Sequence, residues 1–413
     1  MSEKKLPVSE ASLLTLADTF PTPFHLYDEK AIRERIKSFK KAFSWVPEFK
    51  NYFAVKACPN PAILKIMKEE GFGADCSSLP ELVLSQQAGI TGEDIMFTSN
   101  DTPPEEFAAA YEAQAVINLD DISHIDTLKN AAGIPELLSF RYNPGPDRTG
   151  NAIIGNPVEA KYGITTTQLL PAYEKAKQLG VKRFALHTMV ASNELDGSYI
   201  VETARMLFSQ AIRLNKELGI KLEFVNMGGG IGIPYRPEQE EMDLEWVSDQ
   251  IRELYNQMIV PAGLAPLNIV FECGRMITGP FGYLVTRVRH VTEKYKQYVG
   301  LDASMANLMR PALYGAYHHI TVVGKSHVQP TETYDVTGSL CENNDKFAID
   351  RVLPKIEPHD VLVIHDTGAH GHAMGFNYNA KLRSAEYLLE QDGSVRMIRR
   401  AETMEDLFAT LKF

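Results

Sequence analysis

NYFAVKACPNPAILKIMKEEGFGADC, residues 51–76, holds one complete repeat of the rhythm that decides the fold. Asn51–Ala57 (NYFAVKA) is apolar without alternation, as expected of a strand buried on both faces of a parallel sheet. Pro61–Glu70 follows with helical spacing, and Phe72–Cys76 (FGADC) is a second short apolar run. The same alternation continues outward. Six more short apolar runs read as strands: Asp94–Ser99, Ala115–Leu119, Leu137–Arg141, Arg183–Val190, Leu222–Met227 and Asn268–Glu272. Between and before them lie helical patterns. In AIRERIKSFKKAFSWV, Ile32, Ile36, Phe39 and Phe43 recur every three or four residues; Pro80–Ala88, Thr167–Leu179, Tyr199–Leu218 and Leu244–Ile259 are further examples. Eight strands alternating with helices predict an α/β fold, a (β/α)8 TIM barrel over residues 30–276. A doubly wound open sheet is the alternative, and strand count alone does not separate the two.

After about residue 280 the texture changes to short β-branched and aromatic runs: Tyr283–Val291, Lys296–Leu301, His318–Val323, Thr333–Thr337, Asp360–His365, Ser384–Leu389 and Val395–Arg399. They predict a mostly antiparallel C-terminal β domain. Only Met305–Tyr314 and the last residues look helical there. Pro23–Tyr27 reads as a strand isolated before the first helix and is expected to join that domain. The expected division is thus a barrel over 30–276 and a β domain over 1–29 and 277–413.

Composition is ordinary for a globular chain, 44% hydrophobic and 23% charged, and the length suggests two domains. A formal net charge of -11 argues against nonspecific nucleic-acid binding, which needs a basic surface. The N-terminal lysines are followed by no apolar stretch, so no signal peptide is expected, and no apolar run is long enough to predict a membrane span. Four cysteines, Cys58, Cys76, Cys273 and Cys341, lie far apart with no CxxC pair, and read as reduced thiols of a cytoplasmic protein.

In such a barrel the chemistry lies at the carboxyl ends of the strands. Those ends deliver Lys56, Asp75, Arg141, His187 and Met189 followed by Ser192, then Gly228, Gly229 and Gly230, and finally Glu272 followed by Gly274 and Arg275. Lys56 is flanked by apolar residues. It is either a lysine whose head snorkels to the barrel mouth or a desolvated amine, a nucleophile able to form a Schiff base. The glycine run is either a tight turn or a phosphate cradle; no Lys-Ser/Thr follows it, so a phosphate without a nucleotide fits better. Glu272 is either a partner for Arg275 or the carboxylate that keeps a cofactor's pyridine nitrogen protonated. The histidines at 318, 319, 365, 370 and 372 match no standard zinc spacing, and no metal is expected.

Together these residues resemble the fold-type III pyridoxal-phosphate (PLP) decarboxylases, diaminopimelate decarboxylase first and the ornithine/arginine decarboxylases more distantly. The resemblance runs from TPFHLYD at residue 22 to NYNAKLRSAE at residue 386. It implies an alanine racemase-like barrel plus a β domain that contributes to the active site and to a dimer interface. YFAVKA is similar to the family's Schiff-base strand, with Lys56 the cofactor lysine; DCSSLPEL supplies Asp75, Ser78 and Glu81. SFRYNPG resembles the RxNPG segment and sets Arg141 near the cofactor. ECGR stands where the family has EPGR, so that Glu272 faces the pyridine nitrogen and Arg275 touches phosphate or substrate. MRPALYGAYHH resembles the diaminopimelate branch's RPxLYxAxH run and implies Arg310 and Tyr314 at the substrate carboxylate. GSLCENNDKFAIDRVLP resembles a run whose Cys-Glu pair, here Cys341 and Glu342, crosses from the partner subunit, implying a homodimer with shared sites. FNYNAKLRSAE resembles the closing segment and puts Tyr378 on the phosphate.

The chain departs from the pattern on the sixth strand. The family reads HxHIGS and stacks its second histidine on the cofactor ring; this chain reads HTMVAS, which leaves Met189 or a shifted His187 for that place. Cys273 replaces a proline, Asn343 a serine and His370 a tyrosine. The resemblance implies decarboxylation of meso-diaminopimelate to L-lysine, with Cys341 or Lys56 returning the proton. The alternatives are a decarboxylase of ornithine, lysine or an arginine-like amino acid, a racemase on the same barrel, or a non-catalytic regulatory relative.

Overall fold

The structure is a computed structural model that describes residues 4–150 and 154–413. It divides into two compact units, one of residues 35–233 with 242–274, the other of 4–34 with 234–241 and 275–413. β1 (Phe24–Asp28) belongs to the second unit. The next eight strands close a parallel barrel: β2 (Lys50–Ala54), β3 (Gly73–Cys76), β4 (Ile95–Thr98), β5 (Val116–Leu119), β6 (Leu137–Tyr142), β7 (Arg183–Thr188), β8 (Leu222–Asn226) and β9 (Asn268–Phe271). These are the eight strands expected from the apolar runs. Closure, with β9 pairing back to β2 at Lys50↔Val270 and Asn51↔Phe271, excludes the open doubly wound sheet. The barrel interior is plugged by Tyr52, Met96, Val116, Leu137, Ala185, Phe224 and Val270, a packed layer rather than a pore.

The seam explains one departure from the family pattern. Asn51, fully buried, accepts the Cys273 N–H at 2.7 Å and donates to the Cys273 carbonyl at 3.1 Å. A proline at 273 has no N–H to give. Cysteine at this position therefore ties the two ends of the barrel together through the backbone.

The second unit is a mixed sheet built on β1 and on β10 (Gly282–Glu293), β11 (Gln297–Leu301), β12 (Ile320–Val322), β13 (Glu332–Thr337), β14 (Lys346–Leu353), β15 (Val361–Ile364), β16 (Ala385–Leu389) and β17 (Val395–Arg399). The strand order is β14-β13-β11-β10-β1-β16-β17, with β15 on β10 and β12 on β15. Pairing is antiparallel except for β1–β16 and β11–β13. The early PFHLY strand thus enters this sheet between β10 and β16, as its isolation in the sequence suggested.

Three expectations needed revision. The helix expected over Met305–Tyr314 spans only Arg310–Tyr314. Upstream of it, Asn307 Oδ1 accepts the Ser304 N–H and Asp345 accepts the Met305 N–H, so a side-chain-braced turn replaces helix. β14 was not expected, because only Phe347, Ala348 and Leu353 of its eight residues are buried and strict alternation is lost. Helices Glu10–Thr19, Pro104–Glu112 and His124–Ala131 were also passed over, each burying only two residues.

Candidate active site

Barrel closure brings the strand ends onto one rim. Glu272, the residue after β9, is buried there. His187 at the end of β7 places Nε2 2.9 Å from Oε2, and the Asn226 amide at the end of β8 donates to Oε1 at 2.8 Å. Burial pushes the Glu272 carboxyl up. The adjacent His187, the charge of Lys56 and the Asn226 amide outweigh that and hold it below the usual carboxylate range. Asp75 in β3 shows the opposite balance: burial and then the negative charge of Glu272 push it well above its ordinary value, against a partial offset from Lys56 and Arg141. Of two buried carboxyls on one rim, one is kept ionised and the other is biased towards its acid form. Environments that drive such a pair apart are a recurring way to assign acid and base roles.

Arg141, in β6, makes a bidentate pair with Asp120 through Nε (2.6 Å) and Nη2 (2.5 Å), and its guanidinium lies 4.4 Å from the Tyr162 ring centroid. Asp120 and Asn226 were not singled out in the sequence, although each stands at a strand end: Asp120 directly after β5 in INLDD, Asn226 directly before Met-Gly-Gly-Gly.

Glycine is required in the Gly228–Gly230 loop by close packing as well as by backbone angle. A Cβ at Gly228 (φ +68°) would lie 2.2 Å from the Thr188 carbonyl oxygen, and one at Gly230 (φ +97°) 2.5 Å from that of Ala191. Asn226 Oδ1 accepts the Gly228 N–H at 2.9 Å, so a single amide joins the glycine loop to Glu272. The Met189 sulfur accepts the Gly229 N–H at 3.4 Å. β7 ends at Thr188, one residue short of Met189, so His187 and Met189 do different things: the first holds Glu272, the second lies against the glycine loop. Ser192 is half-buried beyond them.

Lys56 requires a correction. The apolar flanks suggested a desolvated amine, and Val55 and Ala57 are indeed buried. A 3-10 turn after β2 nevertheless leaves Lys56 exposed, with the carboxyls of Asp75, Glu81 and Glu272 as its charged neighbours. Gly274 packs against this turn: a Cβ on it would lie 2.7 Å from that of Ala57.

The rim suits a phosphorylated ring with a protonated nitrogen. Asp75 Oδ1 and His187 Nδ1 are buried without a hydrogen-bond partner among the described residues, and leaving such an atom unsatisfied costs about 1–3 kcal/mol. A polar ligand that reaches them removes the cost. An ionised carboxylate, an accessible amine and a glycine loop complete the donor set.

The β unit carries its own cluster. Arg275 Nη1 donates to the Tyr235 hydroxyl at 2.8 Å, and the buried Arg310 guanidinium lies 4.7 Å from the Tyr235 ring centroid. Among the described residues neither arginine has an ion-pair partner, and Arg310 Nε has no acceptor. Tyr235 was another residue the sequence reading passed over. Tyr314 and Tyr378 are exposed, Cys341 is exposed and Glu342 half-buried. The loop bearing the last pair is braced from within. Asp345 accepts the N–H groups of Met305 (2.6 Å) and Leu340 (2.8 Å), and Asn379 Oδ1 accepts that of Cys341 (2.8 Å). His318, His319 and His365 are pushed down chiefly by burial, and no group of metal-ligating side chains occurs among the described residues.

A parallel barrel with a lysine, a glycine loop and an ionised carboxylate on one rim defines a PLP-binding barrel enzyme. A family model described as "Pyridoxal-dependent decarboxylase, pyridoxal binding domain" matches residues 29–279, and the chain belongs to this family. It is accordingly a PLP-dependent amino-acid decarboxylase. It is 43% identical to Protein TabA of Pseudomonas amygdali pv. tabaci, over 97% of this chain and 95% of the relative. It is 35% identical to diaminopimelate decarboxylase of Methanothermobacter thermautotrophicus, over 97% and 94%. The solved structure of diaminopimelate decarboxylase from M. jannaschii with L-lysine superposes with a TM-score of 0.89 at 31% identity, covering 97% of this chain and 94% of that one. Among the described residues no helix is long and apolar enough to cross a membrane.

Proposed function

We propose that the chain decarboxylates meso-diaminopimelate to L-lysine, with Lys56 as the lysine that holds the cofactor. The observation that carries the substrate is the pair Arg275 and Arg310, two cations sharing Tyr235 with no carboxylate partner among the described residues. A buried guanidinium without a counter-ion is costly, and a planar fork matches a carboxylate better than any other small anion short of phosphate. A substrate with a second carboxylate, distal to the one that leaves, satisfies both. The relatives named diaminopimelate decarboxylase support the same reading.

PLP, when bound, supplies the electron sink that lets a carboxylate depart from the α-carbon. The chain's part is to hold and orient. Glu272, kept ionised by His187 and Asn226, holds the proton on the ring nitrogen. The Gly228–Gly230 loop takes the phosphate, with Ser192, Gly274 and Tyr378 as further contacts. Because His187 is committed to Glu272, Met189 would be the side chain offered to the ring, through a polarizable sulfur. Asp75 lies near Lys56, and Arg141 is oriented by Asp120. Arg310, Arg275, Tyr314 and Glu342 grip the distal amino-acid end, and Cys341 returns the proton to the product carbon. Cys341 and Glu342 act from the partner copy of a homodimer, which suits a braced but exposed loop. A decarboxylase of ornithine, lysine or an arginine-like substrate is the second reading, favoured by the Met189 departure and by a 43% relative whose name states no substrate.

The test is a panel of meso-diaminopimelate, ornithine, lysine and arginine with the purified holoenzyme. Carbon dioxide is expected from meso-diaminopimelate at a kcat/KM well above the others; faster release from a substrate lacking the distal carboxylate overturns the proposal. An activity assay on mixed Cys341→Ala and Lys56→Ala chains checks the shared site: mixing should restore part of the activity that each chain lacks alone.

A further inference from the structure

We propose that Lys4, near the start of the chain, is a positioning residue for the carboxylate-binding arginines: it occupies Asp366 and so keeps the protein's own carboxylate from neutralising Arg310. This rests on the reading that Arg310 receives a substrate carboxylate. Lys4 and Asp366 are 362 positions apart, yet Lys4 Nζ donates to Asp366 Oδ1 at 2.9 Å and lies 2.8 Å from Oδ2. The same ammonium donates to the Pro234 carbonyl at 2.5 Å. Both side chains are largely withdrawn from water, at 11% and 2% exposure, so this is not a screened surface pair. Pro234 immediately precedes Tyr235, whose hydroxyl accepts from Arg275 and whose ring lies under Arg310. One ammonium therefore fixes both the competing carboxylate and the backbone that carries the arginines' shared support.

The competition is concrete. Asp366 and Arg310 lie within each other's electrostatic reach. Among the described residues Arg310, buried, has an unused Nε donor, and Asp366 Oδ2 receives no aligned hydrogen bond. The other charged or titratable groups facing Asp366 are Lys4 and the Tyr283 hydroxyl; His318, His319 and His365 nearby are held neutral by burial. Without Lys4, the remaining cation for Asp366 among the described residues is Arg310. Bidentate arginine–carboxylate pairs are among the strongest hydrogen-bonded pairs in proteins, and a guanidinium so engaged has nothing left for a ligand. Asp366 already carries a carboxyl pushed up to about 6 by burial despite Lys4, so it responds to any nearby cation.

The test uses the PLP-loaded enzyme and pimelate, a dicarboxylate without amino groups, titrated by calorimetry so that the readout does not depend on turnover. The unmodified enzyme should bind pimelate, and Arg310→Met should lose it. Lys4→Met should weaken binding by about 10-fold, the loss of roughly one charged hydrogen bond, and Lys4→Arg should retain it. Adding Asp366→Asn to Lys4→Met should restore it, since an amide cannot neutralise Arg310. Melting temperature checks that each variant folds. Unchanged pimelate binding in Lys4→Met, a double variant as weak as the single one, or no binding to the unmodified enzyme overturns the proposal. Failure of the substrate reading shows separately, as the absence of carbon dioxide release from meso-diaminopimelate by the unmodified enzyme.

Discussion

The barrel rim and the Tyr235 cluster of the β unit both bury charge, but they treat it differently. On the rim Arg141 and Glu272 are each held by hydrogen-bonding partners. Arg141 is closed by Asp120, and Glu272 is held by His187 and Asn226. In the β unit Arg310 is buried over an aromatic ring with an unused donor, while the nearby Asp366 is tied to Lys4. A paired buried charge keeps its position and protonation state throughout a reaction. An unpaired one is tolerable only where an anion arrives to complete it. The contrast separates the two tasks of the proposed enzyme: the rim fixes electronics, the arginines choose the substrate. Variants on the rim should therefore lower kcat for every substrate, and variants at the arginines should change which substrate is preferred.

The largest effect is expected at Lys56. Lys56→Ala removes the amine that the proposal gives to cofactor attachment, and should abolish turnover and the visible absorbance of the holoenzyme together. Retention of the absorbance band after gel filtration would show that another residue holds the cofactor. Glu272→Gln comes next. It leaves a hydrogen-bonding group of the same size but removes the charge, and kcat should fall by about 10²–10³ for all substrates, the usual scale for one preorganised electrostatic contact. A fall confined to one substrate would break the division between rim and arginine cluster.

Arg310→Lys sharpens the other side. The charge survives, but the fork does not. kcat/KM for meso-diaminopimelate should drop by about 30–150-fold, worth roughly 2–3 kcal/mol of charged hydrogen bonding, while residual turnover of lysine or ornithine changes little. The kinetic comparison across the substrate panel measures it. An equal loss on every substrate would make Arg310 a structural residue.

The two regions also differ in how much of them the sequence disclosed. Rim residues sit at the ends of apolar strands, so the rhythm of the barrel alone locates them: Asp75, Arg141, His187 and Glu272 all lie where strand ends are expected. What the rhythm could not provide was partners. Asp120 and Asn226 also stand at strand ends, but an acid after a strand or an amide before a glycine loop is common, and only side-chain geometry ties them to Arg141 and Glu272. The exposure of Lys56 was hidden for a related reason, because apolar neighbours bury their own side chains and a single tight turn redirects the one between them. In the β unit, Arg310 stood out through its motif, whereas Tyr235 and Lys4 belong to segments far away in the chain. Nothing local marks such residues, because their role is set by tertiary contact alone.

The smallest predicted effect concerns stability, and there too the regions take opposite signs. In the β unit, His372 is pushed down to about 4, first by burial, and His25 to about 3 for the same leading reason. Burial also acts on the nearby Glu386, but His372, Arg399 and the Tyr27 hydroxyl overcome it and hold the carboxyl down, to about 2. For each group the folded pKa lies below that of the unfolded chain, so the unfolded state takes up protons first and stability falls as the pH drops. The histidine contributions begin to disappear below about pH 6.5, and that of Glu386 only below about pH 4.5. On the rim, Asp75 is raised, chiefly by burial, so the folded state takes up that proton first and acid relieves it. Denaturant unfolding from pH 7 to 4 should therefore show a net loss to which His372 contributes roughly 3 kcal/mol. His372→Gln should flatten the slope between pH 6.5 and 4 and, by removing one of the groups that hold Glu386 down, weaken the loss below pH 4.5 as well. Asp75→Asn should stabilise the protein at pH 7 and cease to do so as the pH falls, because the wild-type carboxyl becomes neutral as well. A stability profile in which His372→Gln and Asp75→Asn tilt the same way would remove the contrast in sign.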